Sequence, residues 1–389
     1  MIISAYARTP MGGFQGALSG VSAVELGAVA VKAAVERSGV DRQAIDRIYM
    51  GCVLPAGLGQ APACQAALAA GLPRSVEATT VNKMCGSGMQ AAIMASEALA
   101  SGGADVVIAG GMESMTNAPY ALPKHRGGAR IGHDRIIDTM MMDDLEDAYD
   151  RGKPMGAFAE ETASDYRFTR AGQDEHSIAS LSRANAAIAG GAFADEVVPV
   201  TVPGRGGPTI VAQDEQPGNA RPEKIPTLKH AFAAGGSITA ATSASISDGA
   251  AALVMTRASV AERLSMKQEA RIVATAAHAY APALFTTAPV FAIRKLLEKA
   301  GWSVDGVDLF EVNEAFAVVA MIAMRDLGIA HDKMNVNGGA TALGHPIGAS
   351  GARILATLIN ALKRRDLKRG VAALYIGGGE ATAIALELI

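Results

Sequence analysis

The sequence predicts an α/β fold of two similar halves joined by a long insertion. Strand-like and helix-like segments alternate near both ends of the chain, and such alternation is typical of a parallel sheet covered by helices. Short motifs of the first half recur in the second, which indicates a duplicated unit with the active centre between the halves. Residues 117–240 carry more charge, proline and glycine and show weaker periodicity, so we expect a loop domain there, used for binding or assembly.

Composition limits the classes of function. A chain of 389 residues that is 50% hydrophobic and 19% charged can bury a large core, and at roughly 150 residues per domain it forms two or three folding units. The net charge of −3 and the aromatic content of 4% argue against a nucleic-acid-binding surface. No apolar run is long enough to cross a bilayer and the first residues do not form a secretory signal, so we expect no membrane partner and a cytoplasmic location.

The cysteines argue against a disulfide framework or a zinc site. There are three of them, Cys52, Cys64 and Cys85, with no CxxC motif and no cluster with histidine. Each is therefore either a buried packing residue or a reactive thiol, and we expect no metal and no cofactor.

Hydrophobic periodicity places the elements in order. In the first half we predict an N-terminal strand, helices at Val24–Glu36 (with Ser22 as N-cap) and Gln90–Ala100, and strands at Arg47–Val53 and Asp105–Ala109, the last closed by Gly110-Gly111. In the insertion and second half we predict helices at Gln173–Ala189, Pro289–Ala300 and Ala349–Lys363, strands at Leu309–Val312 and Val371–Ile376, and a helix-to-strand or buried segment at Asp248–Met255.

Two motif pairs indicate the duplication. Ser87-Gly88 and Ser350-Gly351 each begin a predicted helix. Ala109–Glu113 (AGGME) and Ile376–Glu380 (IGGGE) match each other as predicted strand ends. Short glycine-rich matches are common, so the duplication depends on both pairs occurring in the same order.

Cys85 is the strongest candidate for a catalytic nucleophile. It follows a polar segment and precedes an alanine-rich helix, where the positive end of the helix dipole and free N–H groups are expected to lower the pKa of a thiol. Gly86 and Gly88 would let a ligand or a facing backbone come close. The alternative for a lone cysteine is a small buried residue at a packed turn.

A second group of candidates lies in the C-terminal half. The glycine-rich segment Asn335–Gly351 contains His345, whose imidazole could accept a thiol proton, although an isolated histidine is more often a surface-loop residue. Asn313 follows a predicted strand and could hold a water or an oxyanion, or simply cap a helix. Gly377 begins a glycine triplet that offers bare N–H groups, or forms a plain tight turn.

Five ordered motifs together resemble the thiolases. They are NKMCGSGMQA, GGMESM, NEAF, NVNGGATALGHPIGASGARI and IGGGEATA, and they span essentially the whole chain. The resemblance implies the thiolase fold, a five-layered α-β-α-β-α arrangement of two duplicated halves plus an inserted loop domain. It places an N-terminal half at 1–116, completed by about 241–268, a loop domain at 117–240, and a C-terminal half at 269–389.

The resemblance also implies a two-step reaction, with acetyl-CoA acetyltransferase activity as the best match. An acyl group moves from a CoA thioester onto Cys85, and the enolate of a second acetyl-CoA then attacks it to give acetoacetyl-CoA and CoA; the reverse reaction is thiolysis. His345 would activate the thiol and, with a water held by Asn313, stabilise a thioester oxygen. The N–H groups of Cys85 and Gly377 would form a second oxyanion hole.

Coenzyme A contacts and assembly are implied by motif position. The candidate contacts in the loop domain and beside it are Met155, Lys229, Phe232, Ser237, Ser243 and Phe316. Ser243 stands near the place of a serine in the family's Asn-x-Ser segment. Residues 126–132 and 137–149 resemble the loop region of tetrameric biosynthetic thiolases, so we expect a homotetramer.

One departure from the family concerns the second step. The family has a second cysteine before the glycine triplet, as the base that takes the α-proton, and here that position is Tyr375. A phenol is bulkier than a thiol and has a higher ordinary pKa, near 10 against about 8.5. Tyr375 is therefore expected to act as a slower base with a depressed pKa, to block condensation while acylation survives, or to be an anomalous change in an ordinary thiolase. Pro154 replaces a family histidine.

Three other functions stay open at this stage. One is a 3-ketoacyl-CoA thiolase of broader chain length. Another is a CoA-thioester hydrolase or acyltransferase that forms no carbon–carbon bond. The third is a CoA-binding subunit without turnover that scaffolds a partner enzyme, which the intact set of Cys85, His345 and Asn313 disfavours.

Overall fold

The computed structural model describes residues 1–389. The strands are β1 Ile2–Arg8, β2 Gly12–Gly13, β3 Arg47–Gly51, β4 Glu77–Val81, β5 Val106–Ser114, β6 Tyr120–Ala121, β7 Ile137–Asp138, β8 Val200–Val202, β9 Thr209–Val211, β10 Ser247–Thr256, β11 Ala270–Ala279, β12 Leu309–Val312, β13 Arg369–Ile376 and β14 Glu380–Leu388. The α-helices are α1 Ala23–Ser38, α2 Pro62–Ala69, α3 Ser87–Ala100, α4 Met155–Asp165, α5 Arg170–Ala189, α6 Glu215–Asn219, α7 Ala258–Arg263, α8 Ala288–Ala300, α9 Ala317–Leu327, α10 Ala340–Leu343 and α11 Ile347–Arg364.

The main sheet repeats one topology twice. Its strand order is β12-β13-β14-β11-β1-β10-β5-β3-β4, and the two halves meet where Ile2 and Ile3 of β1 pair with β11. In the first half β3 runs parallel to β4 and β5, and β10 is antiparallel to β5 and β1. In the second half β12 runs parallel to β13, and β14 is antiparallel to β13 and β11. The sheet is therefore mixed, because each unit adds antiparallel strands to the parallel pairs that the sequence predicts.

Helices complete the five layers. Helix α1 packs on the outer face of the first half's strands and α8 on that of the second half. Helices α3 and α11 contact each other between the two sets of strands, which places the helix after Cys85 at the centre of the molecule. The predicted segment Asp248–Met255 is the buried central strand β10.

Helix α1 begins where its capping residues predict. The Ser22 hydroxyl accepts a hydrogen bond from the Glu25 N–H at 3.3 Å, and the Glu25 carboxylate accepts one from the Ser22 N–H at 2.8 Å. This reciprocal pair is a capping box, which satisfies two N–H groups that a helix start leaves free. Gly39 ends the helix in the left-handed region at φ 72°. The predicted N-cap is confirmed.

The repeated Ser-Gly pairs allow the two central helices to touch through their backbones. A Cβ on Gly351 would lie 2.2 Å from the Met89 nitrogen, and a Cβ on Gly88 would lie 2.8 Å from the Ala352 nitrogen. Because neither backbone atom can move aside cheaply, only glycine permits this packing distance. The motif recurs because the same helix contact is made from both halves.

The second motif pair does not mark equivalent strand ends. Strand β5 continues through Gly110 and Gly111 as far as Ser114, with both glycines buried against β10. In the second half the strand ends at Ile376 and Gly378 turns the chain at φ 95°. The prediction that Gly110-Gly111 closes a strand is wrong, because Gly110 makes room for the backbone of strand β10 and Gly111 for the backbone of helix α11.

The insertion lies between β5 and β10 and is fastened to the first half by a buried cation. Arg8 on β1 donates from Nε to the Glu196 carboxylate at 2.6 Å and from Nη1 to the Asp214 carboxylate at 2.7 Å. All three side chains are buried.

The domain boundaries at 116, 240 and 268 stay predictions. No helix of the protein has both the length and the apolar character that a membrane crossing requires.

Candidate active site

One cavity of about 300 Å³ contains most of the predicted site residues. It is lined by Met84, Cys85, Met115, Met141, Asp144, Leu145, Pro154, Met155, Gly156, Phe232, Ser243, Ala244, Ser245, Ile246, Ala315, Phe316, His345, Ile347, Tyr375 and Gly377. These residues come from the turn before α3, the inserted loop domain and the end of β13. Others come from the segments just after β5, just before β10, just before α9 and at the start of α11. The predicted residues Asn313, Lys229 and Ser237 do not line the cavity.

Cys85 sits on a strained turn just before helix α3. The preceding residue, Met84, has φ 49°, in the left-handed region that non-glycine residues rarely adopt. The Ser87 hydroxyl holds the turn, because it donates to the Met84 carbonyl at 2.6 Å and accepts from the Lys83 N–H at 2.9 Å. The turn presents the Cys85 side chain to the cavity from the N-terminal end of the helix.

A hydrogen-bond chain joins Cys85 to His345 through Tyr375. The Cys85 Sγ lies 3.6 Å from the Tyr375 Oη, and that oxygen lies 3.5 Å from His345 Nε2. His345 Nδ1 lies 2.5 Å from the Ser350 Oγ, which itself donates to the Pro346 carbonyl at 3.0 Å. Because the Ser350 proton is used on that carbonyl, Nδ1–H donates to Oγ and Nε2 is left as the acceptor.

The order of donors along this chain follows from the tautomer in which Nδ1 carries the proton. The tyrosine hydroxyl donates to Nε2 and accepts from the thiol. No hydrogen bond joins Cys85 directly to His345, and the activation of the thiol by His345 stays a prediction. The phenol of Tyr375 is long enough to occupy the space between them.

Asn313 supports the imidazole from outside the cavity. Its side-chain nitrogen lies 3.4 and 3.5 Å from the two ring nitrogens of His345. Its oxygen accepts from the buried guanidinium of Arg353 at 3.5 Å, which orients the amide with its nitrogen towards the ring. The structure thus brings Asn313 and His345 together as predicted, while the role of Asn313 stays a prediction.

Burial raises the pKa of the Cys85 thiol to about 12, and the charge of Asp144 acts in the same direction. The hydrogen bond with Tyr375 and those from the N–H groups of Gly377 and Cys85 act to lower the pKa, but they do not offset burial. The expectation that the helix start lowers the thiol pKa is therefore wrong for the protein without substrate. The thiol is protonated at neutral pH.

The partners of the thiol are also neutral. Burial, and secondarily the charge of Arg353, lowers the pKa of His345 to about 3, so the imidazole is uncharged and free to accept a proton. Burial, followed by the charge of Cys85, raises the pKa of Tyr375 well above its ordinary value. The alternative in which Tyr375 is a base with a depressed pKa is wrong.

Asp144 is a cavity residue that the sequence did not reveal. It lies on a short π-helix, Met141–Leu145, with its side chain buried and the Oδ2 atom without a hydrogen-bond partner. Two adjacent aspartates in the apolar stretch MMMDDL were the only signal, and they resemble an ordinary surface pair. Only the π-helical turn shows that Asp144 faces inward and Asp143 outward.

The two predicted CoA contacts outside the cavity have other environments. The Ser237 hydroxyl donates to the Glu160 carboxylate at 2.9 Å and accepts from the Gln173 amide at 2.8 Å. Lys229 is exposed on the loop that follows Pro222–Thr227. Met155, Phe232, Ser243 and Phe316 line the cavity, and the rings of Phe232 and Phe316 meet edge to face with centroids 5.9 Å apart.

Comparison with known proteins decides the family. Residues 1–259 match the family model described as "Thiolase, N-terminal domain", and residues 266–388 match the one described as "Thiolase, C-terminal domain". This chain belongs to the thiolase family. It is thus an enzyme of the acyltransferase class, and the predicted family and five-layered fold are confirmed.

Individual thiolases align with the whole chain. The "Acetyl-CoA acetyltransferase" of Schizosaccharomyces pombe is 45% identical, over 100% of this chain and 98% of its own length. "Acetyl-CoA acetyltransferase 2" of Arabidopsis thaliana is 49% identical, over 98% of this chain and 96% of its own. The crystal structure of the Bacillus anthracis acetyl-CoA acetyltransferase superposes with a TM-score of 0.97 at 40% identity, covering 100% of this chain and 98% of that one.

Proposed function

We propose that this thiolase transfers the acetyl group of acetyl-CoA onto Cys85 and is an acetyl-CoA acetyltransferase whose carbon–carbon bond formation is slowed by Tyr375. The observation that supports this most directly is the continuous chain from Cys85 through Tyr375 to His345 inside one cavity. The names of the full-length relatives support the substrate. The reaction needs only CoA thioesters and no cofactor.

Acylation follows from the direction of the hydrogen bonds. As the Cys85 sulfur attacks the thioester carbonyl carbon, its proton passes to the Tyr375 oxygen while the tyrosine proton passes to His345 Nε2. The sulfur–carbon bond of acetyl-CoA breaks, and the imidazolium returns a proton to the departing CoA thiolate. Atoms and charge balance, and the acetyl group is left on Cys85.

Two groups of donors are candidates for stabilising the oxyanions of the reaction, one for each thioester. The N–H groups of Cys85 and Gly377 act to lower the pKa of the Cys85 thiol, so a thioester oxygen bound beside that sulfur is expected to meet them. A water held between Asn313 and His345 would serve the second thioester. Removal of one oxyanion donor typically costs about 10²–10³ in rate.

The second step lacks a suitable base. Claisen condensation requires removal of a proton from the methyl carbon of a second acetyl-CoA, which a thiolate base performs in the family. In this chain the corresponding side chain is a neutral phenol with a raised pKa, already donating to His345. We therefore expect acylation to proceed and condensation to be slow.

Acetylation of Cys85 tests the proposal. Protein incubated with acetyl-CoA and digested is expected to carry the acetyl group on the peptide that contains Cys85, with an equal amount of CoA released. The Cys85→Ser variant is expected to release no CoA in the same time, and Cys64→Ser, at a partly exposed cysteine outside the cavity, serves as its matched control. Absence of an acetyl adduct on Cys85 in the unaltered protein would overturn the proposal.

Tyr375 also favours a second candidate function. An acetyl-enzyme that no enolate attacks stays open to water or to another acceptor, which would make the protein a CoA-thioester hydrolase or an acyltransferase without carbon–carbon chemistry. The product distinguishes the candidates: acetoacetyl-CoA indicates condensation and free acetate indicates hydrolysis. Rates of thiolysis with 3-ketoacyl-CoA substrates of increasing length test the broader-chain alternative.

The remaining parts of the proposal concern CoA and assembly. The CoA chain would enter past Met155, Phe232, Phe316 and Ser243, which line the cavity. A homotetramer is supported by apolar side chains that the inserted loop domain exposes, with Ile131 97% and Ile136 69% exposed. Light scattering in solution would give the mass of the assembly, and a monomer would contradict it.

A further inference from the structure

The wall of the cavity contains a buried carboxyl group that neither the fold nor the proposed acylation uses. The Asp144 side chain is 6% exposed, and its Oδ2 atom is buried without a hydrogen-bond partner. It forms no ion pair, and no group of three or more metal-binding side chains occurs in the protein. A buried polar atom without a partner is unfavourable and exceptional, so its presence in a ligand cavity points to a partner on the ligand.

Asp144 lies close to the reacting groups. It shares the cavity wall with Cys85 and Tyr375, and in its ionised form it would act to raise the pKa of both side chains. Most of the wall is apolar, including Met115, Met141 and Leu145, and none of its polar residues, which include Ser243, Ser245 and His345, forms a hydrogen bond with the Asp144 side chain. An acyl chain attached to Cys85 would therefore meet a carboxyl group without a partner on a largely apolar wall.

Burial without a nearby cation disfavours the charged form of this carboxyl group. Burial, followed by the charges of Glu113 and Asp143, raises the pKa of Asp144 well above its ordinary value. A neutral carboxyl both donates and accepts a hydrogen bond but has no charge with which to hold an ammonium group. A ligand hydroxyl, which also donates and accepts, matches it in both roles.

We propose that the cavity selects acyl groups that carry a hydroxyl, which the Asp144 carboxyl binds beside the Tyr375 phenol. This inference rests on the proposed transfer of acyl groups onto Cys85 and names the substrate class of that step. Acetyl and other apolar acyl groups leave the carboxyl unpaired, whereas a hydroxyacyl group satisfies it. A site built to bind a hydroxyl discriminates against the analogue that lacks it.

The test compares acyl-CoA probes of equal carbon length. The rate of Cys85 acylation in a single turnover is measured with butyryl-CoA, 3-hydroxybutyryl-CoA and 4-hydroxybutyryl-CoA. We expect at least one hydroxylated probe to acylate Cys85 about tenfold faster than butyryl-CoA, at equal subsaturating concentrations. Equal rates for all three would overturn the inference. So would a faster rate with 3-aminobutyryl-CoA, because it would require a charged carboxylate.

Variants at two adjacent aspartates locate the effect. Asp144→Leu is expected to abolish the preference for the hydroxylated probe, and Asp144→Asn, which still donates and accepts, to retain most of it. Asp143→Leu is the matched control, because Asp143 is exposed and outside the cavity. A preference that survives Asp144→Leu in folded protein would contradict the assignment to this residue.

Failure of this inference can be distinguished from failure of the proposed function. If no CoA thioester, including acetyl-CoA, acylates Cys85, the proposed function itself is wrong. If acetyl-CoA and butyryl-CoA acylate Cys85 as readily as the hydroxylated probes, acylation stands and only the substrate class is wrong.

Discussion

Cys85 illustrates how far burial can override a local electrostatic signal. The residue occupies the position before a helix at which thiol pKa values usually fall, yet desolvation raises its pKa to about 12. The thiol is therefore unreactive until substrate and the proton acceptors act together, which suits a nucleophile that must not react with stray electrophiles.

The pH dependence of alkylation follows from this value. Because the thiolate is the reactive form and burial raises the pKa of Cys85 to about 12, the thiolate fraction grows steadily as pH rises above neutrality. We expect the rate of Cys85 alkylation by iodoacetamide to increase from pH 7 to pH 10 without a plateau near 8.5, the ordinary thiol value. Cys64, which is partly exposed, is the internal reference. A plateau below pH 9 would contradict the predicted protonation state.

The tyrosine relay gives a second prediction at the residue scale. Tyr375→Phe removes the oxygen that connects Cys85 to His345 while keeping the ring, so acylation by acetyl-CoA should slow by about 10²-fold, within the usual range for a proton-transfer group. Tyr149→Phe, on a side chain that is 79% exposed, is the control. An unchanged rate of CoA release in Tyr375→Phe would show that the proton leaves by another route.

The sequence identified Cys85, His345, Asn313 and Gly377 because each lies in a motif of distinctive residues. It could not show that the Tyr375 hydroxyl lies between the Cys85 thiol and the His345 imidazole. That position depends on the three-dimensional distance between the segments that carry Cys85 and His345. Asp144 could not be predicted for a related reason. The π-helical turn Met141–Leu145 decides which of the two adjacent aspartates faces the cavity.

At the scale of elements, the central contact between α3 and α11 sets the position of the nucleophile. The helix behind Cys85 can approach its counterpart only because Gly88 and Gly351 have no side chain. The predicted helices match the structure to within three residues at their ends, since their periodicity and caps are local. The predicted strand ends at Ala109, five residues before the end of β5 in the structure. The reason is that glycine occurs both in turns and at sites of close packing, and the sequence does not distinguish the two.

Gly351→Ala tests this contact. A Cβ 2.2 Å from the Met89 nitrogen forces two helix backbones apart, which outweighs the gain of about 1 kcal/mol in helix propensity. We expect the free energy of unfolding in urea to fall by about 2–3 kcal/mol. Gly206→Ala, with no atom within contact distance of the new Cβ, should change it by less than about 0.5 kcal/mol. Equal stability of the two variants would show that the contact tolerates separation.

At the scale of the whole molecule, buried ionic groups connect the insertion to both halves. Arg8 fastens the insertion to the first half through Glu196 and Asp214. On the other side, His176 of α5 lies with its Nε2 3.2 Å from the Glu314 carboxylate of the second half. These partners are more than a hundred residues apart in sequence, and no pattern within either segment predicts the pairing.

Glu314 makes the second connection testable by pH. Although burial acts to raise its pKa, hydrogen bonds from His176, Asn335 and Thr341 lower it to about 2. A carboxyl whose folded-state pKa is depressed stabilises the fold above its unfolded pKa, near 4.3, and loses that contribution as pH falls towards 2. The free energy of unfolding of Glu314→Gln at pH 7 should therefore be about 3 kcal/mol lower than that of the unaltered protein.

The difference between the unaltered protein and Glu314→Gln should shrink as urea unfolding is repeated from pH 5 down to pH 3, because acid protonates the unfolded carboxyl first. Glu161→Gln, at an exposed ion pair with Lys153, is the control and should differ by less than about 1 kcal/mol throughout. A difference between the proteins that stays constant over this pH range would contradict the depressed pKa of Glu314.

If the protein forms acetyl-Cys85 but lacks the base for carbon–carbon bond formation, it should exchange the methyl hydrogens of acetyl-CoA slowly. Acetyl-CoA is incubated in D₂O with the unaltered protein and with Tyr375→Cys, and loss of the methyl protons is followed by NMR while Cys85 acetylation is checked in both. We expect acetylation in both proteins and exchange at least about tenfold faster in Tyr375→Cys, consistent with the usual contribution of a placed base. Equal and fast exchange in the two proteins would contradict this expectation.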